Sequence, residues 1–147
     1  MTQWWARRAE SPRSSKASTA VLAAIHALLA VGYAWPETGI TIAALPPTPG
    51  GVSIVNTIDT NGPYWLVGYS LTAVAMVAAL LSGRFLPLVH QVGFVLMGAY
   101  AIAIWYGVFA SEPNRAWLTG IGFTGLAVWH QLKVLTYTDD LHDRGRP

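Results

Sequence analysis

The sequence predicts an all-α integral membrane bundle of about four transmembrane helices, with the N-terminus and the C-terminus both cytoplasmic. Three observations predict it. Apolar residues make up 53% of the 147 residues and charged residues only 11%, against roughly 25% charged in a soluble domain. The charges are confined to tails and loops: from Ala17 to Leu132 they are Glu37, Asp59, Arg84, Glu112 and Arg115. Four long apolar segments remain between them, and a bilayer core about 30 Å thick needs roughly 20 apolar residues in helical form.

The first span covers about 17–35, follows a basic tail at 1–16, and has His26 as its one strongly polar group. Pro36 ends it. The second covers about 63–82 and the third about 85–110, both without charge. Pro63 and Pro87 fall in or near first turns, where a missing N–H costs little. The fourth covers about 116–137, with Lys133 placed so that its long stem reaches the interface. The short links Ser82-Gly83-Arg84 and 111–115 force antiparallel neighbours.

Orientation follows from the basic residues. Arg7, Arg8, Arg13 and Lys16 precede the first span, Arg84 lies between the second and third, and Lys133, Arg144 and Arg146 end the chain. Placing both termini inside leaves only Arg115 outside, a strong positive-inside bias. The aromatic residues agree. Tyr33, Trp35, Tyr64, Trp65, Trp105, Tyr106 and Trp117 fall at the opposite ends of the spans, where amphipathic rings prefer to lie. Trp35, Trp65, Trp105 and Trp117 are the expected interfacial anchors. An alternative reading makes the first span a cleaved signal peptide, on its basic flank and small residues at Gly32 and Ala34.

In lipid, helices associate through close packing and polar contacts, since apolar burial drives nothing there. Ala99, Ala103 and Gly107 form the longest small-residue stripe and are the expected packing face of the third span. Shorter pairs are Ala23 with Ala27, Gly68 with Thr72, and Gly120 with Thr124. The outer loop, 36–62, holds a Pro/Gly cluster at 46–51 and an apolar run, Val52–Val55, expected to cap the bundle. The tail, 138–147, mixes both signs and is expected to be mobile.

Chemistry is sparse. There are no cysteines, which removes disulfides, thiolate metal sites and thiol nucleophiles. No basic stripe suggests nucleic acid, and no carboxylate pair or phosphate loop suggests catalysis. Asp139, Asp140, His142 and Asp143 have metal-compatible side chains but read as a solvated run. The remaining candidates are His26, His90 and His130, because ionisable residues at membrane depth are rare and functional by default. His90-Gln91 and His130-Gln131 recur on neighbouring antiparallel spans. Opposed imidazoles could ligate haem, relay protons, or hydrogen-bond the bundle together.

No motif identifies a family. The leading expectation is a non-enzymatic small membrane protein, in a bacterial inner membrane or a virus's host membrane, acting by oligomeric assembly or permeabilisation; the analogy to small holin-like proteins of bacterial viruses rests on size and span count alone. The alternatives are a haem- or quinone-associated subunit using the three histidines, and an accessory subunit of a larger transport or envelope complex. The expected partners are lipid and further copies or subunits.

Overall fold

A computed structural model describes residues 12–35, 54–110 and 117–144. Five helices occur among them: α1 (Pro12–Ala34), α2 (Ile54–Thr60), α3 (Tyr64–Ser82), α4 (Leu86–Ala110) and α5 (Trp117–Arg144). No strand occurs among the described residues.

Four of the helices are long and run antiparallel in succession. Pro12 opens α1, five residues ahead of the expected start; its fixed φ suits a first helical turn and its missing N–H is no loss there. Trp35, which precedes Pro36, lies just past the end of α1, as steric conflict with a following proline requires. α3 ends at Gly83, whose φ of 66° is left-handed and whose N–H bonds to the Ala79 carbonyl at 2.9 Å. Glycine takes that conformation without a Cβ clash. The chain then turns through Arg84 and Phe85 into α4. Phe85 also has a positive φ of 62°, without glycine's exemption.

Two expectations about the ends change. α5 continues through Arg144, so residues 138–144 extend a helix where a mobile tail was expected. Within the outer loop, Ile54–Thr60 is a helix, and Val55 is buried beneath it. The Trp65 indole donates to the Val55 carbonyl at 3.4 Å. From residue 54 onward the segment is a short helix packed on α3 and α4; residues 36–53, Val52 among them, lie outside the described residues.

α1 packs closely on α3 and α4 on α5, while α3 and α4 join the two pairs. Small residues permit the close approach: Ala23 and Ala30 on α1 and Ala73 and Ala79 on α3 are all buried. Gly68 on α3 faces the Leu96 side chain of α4, 3.0 Å from where a Cβ would stand. Large polar and aromatic side chains fill the space between the two pairs.

The outer surface is apolar. Leu71, Val74 and Ile102 are 65%, 68% and 70% exposed, whereas His26, His90 and His130 are each 0% exposed. A water-soluble bundle has the reverse arrangement. Three segments, Ser15–Ala34, Tyr64–Ser82 and Leu86–Ala110, are long and apolar enough to cross a membrane. α5 has the length, at 28 residues, but carries more polar side chains. Several of these never face outward as free polar groups. Thr124, Thr136 and Thr138 bond back to carbonyls one turn earlier, and His130 and Lys133 are buried. The outward positions Leu118, Ile121, Val128, Leu132 and Leu135 are apolar.

Candidate functional site: a buried histidine chain

The interior is layered. One apolar cluster, with Leu22, Met76, Leu86 and Val89, fills one end. Another, with Tyr69, Met97, Tyr100 and Phe123, fills the other. Between them on α1, α4 and α5 stand His26, His90 and His130, so the three histidines predicted as candidates meet in one layer. Position along the helix decides this: on each of the three, the histidine falls between residues of the two clusters.

The contacts form a single chain. Thr19 Oγ1 lies 2.9 Å from His90 Nε2. His90 Nδ1 lies 3.1 Å from His130 Nδ1. His130 Nε2 lies 3.2 Å from His26 Nε2. Beyond Thr19, the Tyr137 hydroxyl is 2.8 Å from Thr19 Oγ1 and donates to the Ser15 carbonyl at 3.1 Å. Thr19 is also placed to donate to that carbonyl at 3.1 Å. Every side chain in the chain is buried.

A nitrogen–nitrogen contact is a hydrogen bond only if one nitrogen carries the proton and the other does not. Two adjacent imidazolium rings would set two N–H groups against each other. Neutral rings have two consistent patterns. In the first, the Thr19 hydroxyl donates to His90, His90 Nδ1–H donates to His130, and His130 Nε2–H donates to His26, which then carries its own proton on Nδ1. In the second, every donor becomes an acceptor. His26 Nε2–H donates to His130, His130 Nδ1–H to His90, and His90 Nε2–H to Thr19, whose hydroxyl then donates its hydrogen bond to the Ser15 carbonyl or to Tyr137. Passing from the first to the second moves one proton from the Thr19 side to beyond His26, with each atom shifting only across one short contact. A resting strut needs one pattern; a relay needs both to be accessible.

Local sequence builds each contact. Ser15, Thr19, His26 and Tyr33 lie four, seven and seven residues apart, so they share one face of α1. His130 and Tyr137 share a face of α5 in the same way, as do His90, Gly93, Met97 and Tyr100 on α4. Gly93 decides how close His130 comes. A Cβ there would stand 2.4 Å from His130 Cε1 and 2.6 Å from Nδ1, so the imidazole lies against bare backbone.

Beyond His26 the column continues as aromatic rings. The His26 and Tyr69 rings are 5.6 Å apart, Tyr69 and Tyr100 5.8 Å, and Tyr33 and Tyr69 5.9 Å. The Tyr33 and Tyr100 hydroxyls are hydrogen-bonded to each other. Trp65 stands edge-on to Tyr100 at 4.7 Å. In or beside the column, Ser15 Oγ, His26 Nδ1 and Gln131 Oε1 are buried with no hydrogen-bond partner among the described residues. Gln91, the other glutamine beside a histidine, is exposed.

Ser15, Thr19, Tyr69, Tyr100, Tyr137 and Gly93 belong to the site but are residue types that do not stand out in an apolar span. The seven-residue spacing of hydroxyls and imidazoles on α1 was the available signal. The other candidates are placed as follows. Ala103 is buried, Gly107 half-buried and Ala99 exposed, so the stripe lies along the edge of the interior. Trp35 and Trp117 are exposed at 62% and 48%. Trp105 is half-buried and donates to Thr124 Oγ1 at 3.1 Å. Trp65 turns inward and is only 5% exposed. Lys133, expected to reach outward, is 2% exposed. The side chains of Asp140, His142 and Asp143 lie outside the described residues.

The chain does not fit the haem expectation. His90 and His130 touch directly, and the backbone at Gly93 closes against His130, so no slot for a macrocycle separates the two rings. Among the described residues, no three His, Asp or Glu side chains form a group that could hold a metal ion; the His130 contacts lie on opposite edges of its ring. The fold and site together define a class: an all-helical bundle with an apolar exterior and a buried histidine chain. No family model, curated protein or solved structure matches the chain.

Proposed function

We propose that the protein is a multi-pass membrane protein that transfers protons along its interior through Thr19, His90, His130 and His26. One observation carries this reading. Three imidazoles and a hydroxyl, all buried, are joined end to end by contacts of 2.9–3.2 Å inside an apolar-surfaced bundle. Histidine passes protons because its two nitrogens accept and donate on opposite edges of one ring. His130 has both edges engaged by other histidines.

The membrane setting is supported by the apolar perimeter of all four long helices, α5 included. It is also supported by the distribution of interfacial residues. Lys16, Arg84 and Lys133 lie toward the end of the bundle where Ser15 meets Tyr137, and this end is cytoplasmic in the proposed orientation. Trp35, Tyr64, Tyr106 and Trp117 lie at the other end. The alternatives expected from size and span count, assembly into a permeabilising oligomer or service in a larger complex, have no comparable observation behind them.

The test is nitrogen-15 NMR of ring-labelled histidine in the full chain, reconstituted in bilayers. A relay gives His130 two tautomers in exchange, with the proton alternately on Nδ1 and Nε2. A single His130 tautomer, unchanged across temperature, would show a structural strut and overturn the proposal.

A further inference from the structure

The histidine chain stops short of the far membrane face, and its last atom is the unusual one. His26 is 0% exposed and its Nδ1 has no hydrogen-bond partner among the described residues. A buried ring nitrogen without a hydrogen bond is costly, and a polar site of this kind ordinarily holds a water with two to four partners. The Tyr69 ring is 5.6 Å from the His26 ring, and beyond it lie Tyr33 and Tyr100, joined through their hydroxyls.

Depth makes the position of this atom informative. Eleven residues separate Ser15 from His26, about 16 Å along a helix at 1.5 Å per residue. Seven more reach Tyr33, about another 10 Å. The polar column therefore covers nearly the whole of a hydrocarbon core about 30 Å thick. It is continuous through protein atoms from Ser15 to His26, and beyond His26 the Tyr69 ring packs against Tyr33 and Tyr100, whose hydroxyls are bonded to each other. The interruption falls at the one histidine nitrogen in the chain without a partner.

We infer that a single buried water on His26 Nδ1 joins the histidine chain to the Tyr69 hydroxyl, making one transmembrane proton path that ends at the Tyr33–Tyr100 pair. The inference rests on the relay reading above and adds its route and its permeant. A proton leaving His26 Nδ1 passes to the water, which releases another of its protons to the Tyr69 oxygen as the Tyr69 hydroxyl proton moves on toward the tyrosine pair. Each imidazole gains a proton on one nitrogen and loses one from the other, the water and the Tyr69 oxygen each gain one and lose one, and nothing is oxidised. Within the histidine layer each hop crosses a direct ring-to-ring contact, a step open to a proton and not to a metal cation or an anion.

The experiment reconstitutes the full chain in liposomes holding a pH-sensitive dye and imposes a potassium diffusion potential with valinomycin. The wild type is expected to carry protons, unaltered when sodium or chloride is replaced. Tyr69→Phe, which keeps the ring and removes the hydroxyl, is expected to cut the flux at least tenfold while His130 tautomer exchange persists. Gly98→Ala, a site with nothing within 4 Å of the added Cβ, is expected to retain both. A water cross-peak to His26 Nδ1 is expected in the NMR spectrum. Wild-type flux in Tyr69→Phe, or absence of the water cross-peak, overturns the route. Tautomer exchange without any flux in the wild type also overturns it and leaves the local relay standing. Absence of both removes the relay itself.

Discussion

Gly93→Ala tests the packing on which the histidine chain depends. The new Cβ would stand 2.4 Å from His130 Cε1 and 2.6 Å from Nδ1, where ordinary contact begins near 3.4 Å. The imidazole must therefore retreat by about 1 Å, away from α4. His90 is on α4, one turn before Gly93, so the retreat lengthens the 3.1 Å His90–His130 contact toward about 4 Å, past hydrogen-bond range. Forcing a methyl into a packed interior costs about 1–3 kcal/mol. An interhelical hydrogen bond in a membrane is worth about 0.6–1.7 kcal/mol. Alanine's better helix propensity returns up to about 1 kcal/mol. The net expectation is a loss of about 1–4 kcal/mol. Reversible unfolding in mixed micelles measures it, with Gly98→Ala as the reference for propensity alone. Equal stability for the two variants would refute the account, because it would mean that His130 does not rest on the α4 backbone.

Further substitutions probe the rest of the chain. His130→Ala strands His90 Nδ1 and His26 Nε2 and leaves a cavity, so a loss of about 3–5 kcal/mol is expected in the same unfolding assay. Combined with His90→Ala in a double-mutant cycle, it should show a coupling of about 0.5–3 kcal/mol; simple additivity would mean that the two rings do not interact. Thr19→Val keeps the side-chain shape and removes the one hydroxyl that meets the Ser15 carbonyl, His90 and Tyr137. A loss of about 1–3 kcal/mol is expected, together with a shift in the His90 ring-nitrogen resonances; unchanged resonances would place Thr19 outside the chain.

Much of the architecture is written in composition. Uncharged runs bounded by proline, Ser82-Gly83-Arg84 and the 111–115 link locate α3, α4 and the beginning of α5 to within a residue or so. The C-terminal end of α5 was not legible, because residues 138–144 are polar and read as solvated, whereas the helix runs on through Arg144. The helix Ile54–Thr60 was hidden for a different reason. Seven residues are too few for periodicity to show, and its position is set by Val55 packing under Trp65. At the site, rarity alone identified the three histidines, since an imidazole in an apolar span stands out. Their partners did not stand out. Threonine and tyrosine are common in such spans, and only the depth register between helices shows that Thr19, His90 and Tyr137 meet. Trp65 shows the same limit: a tryptophan near a span end reads as an anchor until its facing is known.

Whether α5 crosses the bilayer is the point on which composition and facing disagree, and facing is the better guide. Mean hydropathy counts His130, Lys133 and the threonines of α5 as if lipid met them. In the bundle the first two are buried and Thr124, Thr136 and Thr138 bond to their own helix. Lipid would instead meet Leu118, Ile121, Val128 and Leu135. The absence of cysteine from the chain makes a clean test possible with single cysteines and a membrane-impermeant thiol reagent. Cysteines replacing Lys16, Arg84 or Asp139 are expected to react from one side of the membrane, and those replacing Trp35 or Trp117 from the other. Reaction of the 117 and 139 positions from the same side would mean that α5 does not span. The His130 contacts with α1 and α4 would then be incompatible with α1 and α4 spanning beside it, and the buried chain could not exist as drawn.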